Sequence, residues 1–207
     1  MVDPCTYVRR KTDGVEVIAV WVDDLLLFMS DSDLMENMKL ELKSVFEITD
    51  LGEPAKIVGI KIEWDRAKKT IQISQKQLIE GILQREGLES AHPVAILMDP
   101  SIQLQLSEGE SKGKSNSYAS VIGSLMYLAV ATRPDIAYTV FRLGPYMANP
   151  MLSHWAAAKR VLRYLSGTQE HTELKEQSLE KINSMVIQMR AMPTMMMLHP
   201  YLGMSSA

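Results

Sequence analysis

Two apolar runs separated by a pair of aspartates form the strongest pattern in this sequence. Residues 15–22 and 25–28 are rich in β-branched, leucine and aromatic side chains, and Asp23 and Asp24 lie between them. Runs of this length, bounded by polar residues, predict buried strands rather than helices. Because side chains alternate along a strand, the two carboxylates cannot both be buried on one face. We therefore predict a β-hairpin with the aspartates at or near its tip.

Other periodicities predict further strands and a helix in the first third of the chain. Asp13-Gly14, placed before the first apolar run, predicts an earlier hairpin. Residues 30–33 suit a helix N-cap, and apolar positions then recur at helical spacing through Val45. Alternating apolar and polar residues over 58–64 and 71–74 predict a second hairpin with one buried face.

A helix and a linker are predicted next. Ser74 and Gln77 form a capping box for this helix, and Gly87 is placed to stop it. Residues 91–117 have little apolar periodicity and become rich in serine, glycine and charge, which is typical of a flexible linker.

Three helices and a tail complete the prediction. Residues 132–135, Thr-Arg-Pro-Asp, are expected to cap the second of these helices, with proline at a permitted early position. Ser153 is expected to cap the third helix, which Gly167 ends. Residues 170–207 crowd methionines without a clear period, and we expect a divergent, disordered tail there.

Composition bounds the class of protein. The 207 residues are 46% hydrophobic and 23% charged, which is an ordinary globular composition. The single cysteine, Cys5, excludes an internal disulfide and fits a reducing compartment. There is no apolar run of the ~20 residues that a membrane span needs, and no signal segment at the N-terminus. We therefore expect an intracellular protein, cytoplasmic or nuclear, with no membrane partner.

The net charge of −3 argues against an isolated nucleic-acid-binding domain, because such domains gain affinity from Lys and Arg on phosphates. Either the basic surface lies in a missing part, or the chain does not hold nucleic acid on its own.

The aspartate pair itself is open to two interpretations. Two carboxylates close together on a rigid apolar platform repel each other unless a cation lies between them. Oxygen ligands suit Mg²⁺, which takes one or two protein carboxylates together with substrate phosphates. A solvated acidic turn is the alternative, and the pattern alone leaves both open.

The residues around this pair resemble a known family. The segment Val20-Trp21-Val22-Asp23-Asp24-Leu25-Leu26 is similar to the aromatic-x-Asp-Asp palm motif of reverse transcriptases, with Trp21 where tyrosine is commoner. Further segments resemble the Pol polyprotein of copia-type LTR retrotransposons, and they lie at residues 3–8, 123–128, 132–136 and 154–168. The resemblance covers about residues 3 to 169, in order and with the expected spacing.

The resemblance implies an α+β fold built around a partial reverse-transcriptase palm. Residues 1–75 correspond to a partial palm with the Asp-Asp hairpin and a primer-grip-like hairpin, and residues 76–117 to a thumb-like helix and flexible linker. Residues 118–169 correspond to the helical connection that precedes ribonuclease H. The resemblance ends before the tail.

The family is an RNA-directed DNA polymerase that works by two-metal nucleotidyl transfer. The resemblance implies that Asp23 and Asp24 are catalytic and bind Mg²⁺, Asp23 directly. It implies an RNA template, a DNA primer and deoxynucleotides as partners. The residues proposed to contact nucleic acid are Trp21, Gly59, Ile60, Lys61, Lys159 and Arg163. An ordinary hairpin at residues 59–61 and a solvated helix face at Lys159 and Arg163 are the alternatives.

The family uses three palm carboxylates, and the third lies upstream of the region around Tyr7. We therefore expect a truncated element that is inactive alone and needs a missing N-terminal polymerase half. A second hypothesis is a non-catalytic retrotransposon relic that acts as a helical interaction module. A self-standing Mg²⁺ nuclease is a remote third, because no further carboxylate cluster or catalytic histidine is evident.

Overall fold

The structure is a computed structural model. It describes residues 5–12, 14–68, 70–98, 104, 115–169, 173–175, 183–189 and 205–206. These described residues form two compact units. Those of the first lie within Met1–Ile57, Trp64–Thr70 and Lys175–Ala207, and those of the second within Val58–Glu63 and Ile71–Leu174.

The described elements confirm an α+β chain with antiparallel pairing and helices. In chain order they are β1 (Thr6–Lys11), β2 (Gly14–Trp21), β3 (Asp24–Met29), α1 (Ser32–Val45), β4 (Ile48–Asp50), β5 (Lys56–Ile57), β6 (Ile60–Asp65), β7 (Thr70–Ser74), α2 (Lys76–Arg85), α3 (Ser115–Ala131), α4 (Ala137–Leu143), α5 (Leu152–Gly167), β8 (Glu173–Lys175), β9 (Asn183–Met189) and β10 (Ser205–Ser206). Short 3₁₀ turns lie at Pro134–Ile136 and Gly144–Tyr146.

The first unit is a six-stranded sheet with one helix. The strand order is β10-β1-β2-β3-β9-β4, and β1, β2 and β3 form consecutive antiparallel pairs. One face of β2 and β3 is fully buried together with residues of α1, which confirms the predicted hairpin and its alternation. The members of this core are Tyr7, Ile18, Val20, Leu25, Leu27, Met29, Met35, Met38 and Leu42.

A buried ion pair lies in the same unit. Glu16 of β2 is 1% exposed, and its carboxylate pairs with the guanidinium of Arg9 on β1. Arg9 also reaches Glu41 of α1, with Nη2 and Oε2 3.3 Å apart. One arginine therefore neutralises a carboxylate in the sheet and connects it to the helix.

The second unit is built mainly from helices. Its core is formed by α2, α3, α4 and α5, and the buried members at the centre of α3 and α5 are Tyr118, Val121, Ile122, Leu125, Leu128, Ala157, Ala158, Val161, Leu162 and Leu165. The hydroxyl of Tyr118 donates to the carbonyl of Leu143 at 3.0 Å, and the Tyr118 ring meets Trp155 edge to face. The strands β6, β7 and β8 are neighbours in the second sheet.

Two predicted helix caps are wrong. Gln77 is the second residue of α2, whose N-cap is Gln75, and the Ser74 hydroxyl accepts from the Lys76 amide at 3.2 Å. Helix α5 begins before Ser153, and its N-cap is Met151, whose amide donates to Nδ1 of His154 at 2.9 Å.

The predicted stop at Gly87 is confirmed. Gly87 has φ of +65°, and the amide of Leu88 closes the end of α2 on the carbonyl of Leu83 at 2.8 Å. This left-handed conformation suits glycine at a helix C-terminus.

The first part of the predicted linker is fastened to α5. Nε of Arg163 donates to the carbonyl of His92, and Nε of Arg160 donates to the carbonyl of Ile96, both at 2.8 Å. Residues 92–96 therefore follow α5 rather than forming a free linker. Most of residues 99–114 lie outside the described residues.

Three segments of the predicted disordered tail form strands. They are β8, β9 and β10, and β9 pairs with both β3 and β4. The rest of residues 170–207 lies outside the described residues, so disorder of the tail as a whole stays a prediction. Within the described part of the chain, none of the helices has the length and apolar character needed to cross a bilayer.

Removing the Arg9 side chain tests the buried ion pair. Arg9→Ala removes the guanidinium that pairs with the buried Glu16 carboxylate, and we expect it to lower the free energy of unfolding by about 3 kcal/mol. The exposed neighbour Arg10→Ala is the matched control. Urea denaturation followed by circular dichroism measures both, and equal effects of the two substitutions would contradict the role assigned to the pair.

Candidate metal and nucleic-acid site

The two aspartates lie at the tip of the β2–β3 hairpin, as predicted. Trp21 and Asp24 pair across the strands, so that Val22 and Asp23 alone form the connecting turn. Trp21 is 57% exposed and Val22 is 77% exposed. Asp23 is exposed and Asp24 half-buried.

The sheet register assigns the two carboxylates to different environments. Leu25 and Leu27 of β3 are buried on the face that carries the core. Asp24 alternates with them and shares the opposite face with Leu26 and Phe28, both half-buried. Asp23 belongs to the turn itself. One carboxylate therefore stands on the half-open face of the sheet and the other at its rim.

Backbone strain marks this tip. Val22 has φ of +54°, and in the described part of the chain Val58 (φ of +48°) is the other non-glycine residue with positive φ. A β-branched residue in this region is a rare outlier. Such strain costs about 1–3 kcal/mol per residue and persists only where the surroundings enforce it.

The carboxylate pair fits a divalent cation as a partial ligand set. Among the described residues, neither Asp23 nor Asp24 has an ion pair or a side-chain hydrogen bond. The described residues contain no group of three or more His, Cys, Asp or Glu side chains arranged for a metal. Two oxygen donors suit a hard cation that takes its other ligands from water or substrate phosphates.

The second predicted segment, residues 59–61, follows the other strained turn. Val58 and Gly59 both have positive φ, +48° and +78°, and they lead directly into β6. The hydroxyl of Tyr127 on α3 donates to the carbonyl of Val58. Lys61 is exposed and pairs with the exposed Glu63. Solvent-exposed ion pairs of this kind contribute little to stability, so Lys61 can exchange Glu63 for another partner at little cost.

The two candidate cations on α5 differ. Lys159 is exposed, with Nζ 5.6 Å from the ring centroid of Trp155. Arg163 instead holds the carbonyl of His92, as described above. Its contact with the chain supports a structural role beside the nucleic-acid role predicted from the sequence.

Comparison with known proteins identifies the chain's relatives. The family described as "Reverse transcriptase (RNA-dependent DNA polymerase)" matches residues 2–100. The matched segment includes both strained turns, at residues 22–23 and 58–59.

Residues 2–100 belong to the reverse transcriptase family.

Relatives extend the similarity to most of the chain. It is similar to the retrovirus-related Pol polyprotein from transposon TNT 1-94 of Nicotiana tabacum, 36% identical over 173 residues, covering 80% of this chain and 13% of that protein. The Pol polyproteins from transposons RE1 and RE2 of Arabidopsis thaliana are 36% and 34% identical over 169 residues, each covering 82% of this chain and 11% of the relative. The chain thus spans about an eighth or less of these copia-type polyproteins. No solved structure gives a significant match.

Charge is distributed unevenly along the chain, and the net charge conceals this. Residues 115–169 contain Arg133, Arg142, Lys159, Arg160 and Arg163 but a single acidic residue. The helical segment is therefore basic, while the whole chain carries −3. The acidic balance noted in the sequence does not extend to these helices.

That single acidic residue, Asp135, is held by a buried arginine. Arg133 is 3% exposed and binds Asp135 through two hydrogen bonds of 2.9 and 2.7 Å. It also donates to the carbonyl and hydroxyl oxygens of Thr168, at 2.9 and 2.7 Å. The Tyr164 hydroxyl donates to Asp135 at 3.0 Å. We call these four residues the Arg133 cluster.

The cluster shifts the pKa of Asp135. Burial alone would raise this pKa, but the hydrogen bonds and charge of Arg133 outweigh burial and bring it below its usual value of 3.8. The sequence predicts a helix cap and a family-like segment at residues 132–136 but not this cluster. The one signal of the cluster in the sequence is an arginine next to an apolar helix with one acidic residue two positions away.

Replacing Arg133 by lysine tests the cluster. Lysine keeps the charge but cannot form the paired hydrogen bonds, so we expect Arg133→Lys to lower the free energy of unfolding by about 2 kcal/mol. Arg142→Lys, at an exposed arginine of α4, should change it by less than about 0.5 kcal/mol. Chemical denaturation of the two variants gives the comparison. An unchanged free energy of unfolding in Arg133→Lys would show that the positive charge alone is enough to hold the cluster.

Acid should weaken the same cluster. A carboxyl whose pKa is lowered on folding adds stability that is full above its unfolded pKa, here 3.8, and is lost as pH falls through the lower folded pKa. The difference in unfolding free energy between the protein and Asp135→Asn should stay constant from neutral pH to about pH 5 and narrow below it. Denaturation at a series of pH values measures this, and a constant difference down to the acid limit would contradict it.

Proposed function

We propose that this chain supplies the carboxylate hairpin, the primer-seating hairpin and the connecting helices of a copia-type reverse transcriptase. Residues 1–75 serve as a partial palm, residues 76–117 as a thumb-like helix with linker, and residues 118–169 as the connection. The observation that carries this proposal is the strained two-residue tip that presents Asp23 and Asp24 without competing partners in the described part of the chain.

In this proposal Asp23 and Asp24 hold Mg²⁺, with Asp23 binding it directly. The bound cations supply activation of the primer hydroxyl and stabilisation of the pyrophosphate leaving group. The protein's part is to fix the carboxylates. Burial of Leu25 and Leu27 anchors the strand, so the donors at its end keep their position when substrate phosphates arrive.

The nucleic-acid contacts come from three places. Gly59, Ile60 and Lys61 seat the DNA primer, Trp21 offers an exposed indole beside the carboxylates, and Lys159 faces solvent on the basic helical segment. Arg163 contributes indirectly by binding the carbonyl of His92 next to α5. The RNA template and the deoxynucleotide need parts of the polyprotein that the family supplies outside this segment.

We further propose that the isolated chain does not extend a primer. The family mechanism uses a third palm carboxylate, and the described residues bring no third one to the pair. A non-catalytic role as a helical interaction module is the second candidate. It is favoured by Tyr138 and Phe141, which are 70% and 53% exposed on α4 and would suit an apolar partner.

Metal binding can be tested without activity. Mn²⁺ replaces Mg²⁺ at oxygen sites and broadens nearby amide signals, so we expect selective broadening around Trp21–Asp24 in NMR spectra of the full chain. The double variant Asp23→Asn/Asp24→Asn should lose it, whereas Asp33→Asn on α1 should retain it. Broadening that survives in the double variant would place the metal elsewhere.

Catalysis can be tested in two settings. Alone, the chain should not extend a DNA primer on an RNA template with Mg²⁺. When it replaces the aligned segment of an active copia-type reverse transcriptase, extension should occur and should fall by at least about 1,000-fold in Asp23→Asn, because a direct metal ligand is lost. Asp33→Asn is the control in that chimera. Extension by the chimera without Asp23 and Asp24 would refute the carboxylate assignment.

A further inference from the structure

The turn at Val58–Gly59 has a conformation that its own sequence does not favour. Val58 is β-branched and has φ of +48°, a region that valine avoids. Gly59 follows with φ of +78°, and a Cβ built on it would meet nothing within 4 Å. Side-chain packing around Gly59 therefore does not enforce the turn.

A hydrogen bond from a distant helix reaches this turn. The hydroxyl of Tyr127, in the middle of α3 and 69 residues further along the chain, donates to the Val58 carbonyl. Tyr127 is 38% exposed, so its ring is only partly used by the core. A phenylalanine would satisfy that packing equally well, and the hydroxyl is the part of the side chain that acts on the turn.

We propose that Tyr127 is a positioning residue that locks the Val58–Gly59 turn and, through it, the strand-seating segment Gly59, Ile60 and Lys61. The inference rests on the proposed function, because it gives that segment a nucleic-acid strand to seat. Residues held in strained backbone conformations collect where the geometry serves binding or catalysis, and the surroundings must then over-determine them. The hydrogen bond from Tyr127 contributes to that determination from outside the hairpin.

The first experiment measures the turn itself. In hydrogen-exchange measurements on the full chain, Tyr127→Phe should speed exchange of the amides at residues 59–61 by about five-fold, the effect of losing one hydrogen bond. Amides in α3 and α5 should be unchanged. The control is Tyr138→Phe, which removes the hydroxyl of an exposed tyrosine on α4 and should leave residues 59–61 unaffected. Unchanged exchange at residues 59–61 in Tyr127→Phe overturns the proposal.

The second experiment measures how tightly the chain binds a primer–template duplex. Fluorescence anisotropy with a labelled DNA primer annealed to an RNA template should show about five-fold weaker binding by Tyr127→Phe and no change in Tyr138→Phe. Val58→Asn makes the turn Asn-Gly, which adopts two positive φ values readily. In that background Tyr127→Phe should weaken binding by less than about two-fold. If the Tyr127 hydroxyl served only the packing of α3, Tyr127→Phe would weaken binding equally with valine or asparagine at residue 58.

The outcomes separate this inference from the proposed function. If the unsubstituted chain does not bind the duplex, the proposed nucleic-acid role of this chain fails and the seat fails with it. The exchange measurement then still decides whether Tyr127 holds the turn. Tyr127→Phe could speed exchange at residues 59–61 and leave the affinity for the duplex unchanged. Tyr127 would then hold the turn, but residues 59–61 would not bind the nucleic-acid strand, which also overturns the proposal.

Discussion

The two-residue connection between β2 and β3 is the constraint on which the first unit depends. A turn of this length fixes the pairing of Trp21 with Asp24, and a shift by one residue would move every side chain to the opposite face. The observed register buries Val20 and Leu25 opposite each other and leaves Asp24 on the other face. The positive φ of Val22 is the local cost of this register, and burial of the paired strands against α1 offsets it.

Each unit contains one buried charged side chain in an arginine–carboxylate pair, which is Glu16 in the first unit and Arg133 in the second. In the first unit Arg9 serves Glu16 of the sheet and Glu41 of the helix, and in the second Arg133 serves Asp135 and Thr168. Both arginines use several donors of the planar guanidinium at once, which a lysine cannot do. Such pairs fix how elements approach one another, because several directional bonds from one guanidinium must be satisfied together. They are therefore better regarded as determinants of geometry than as large net sources of stability.

Periodicity predicted the strands and the aspartate tip because alternation over β2 and β3 is unbroken and has one physical solution. It did not predict the caps of α2 and α5. The N-cap of α2 is Gln75, which makes no side-chain cap hydrogen bond, and at α5 the ring of His154 accepts from the amide of Met151. Nor could it predict the course of residues 92–96, because Arg160 and Arg163 bind backbone carbonyls, which every residue possesses. The strained valines run against local preference, so tertiary contacts decide them. The net charge does not reveal the uneven distribution of charge, since an average over the chain hides a basic helical segment.

The Arg133 cluster also sets an order of events during synthesis. Of the residues that Arg133 binds, Thr168 lies furthest along the chain, and Leu165 is the most C-terminal buried residue of α5. A nascent chain that has emerged only as far as α4 therefore carries a guanidinium without its final acceptors and a helical core open on one side. The core of the second unit cannot be completed before α5 has been synthesised, because α5 supplies one side of that core.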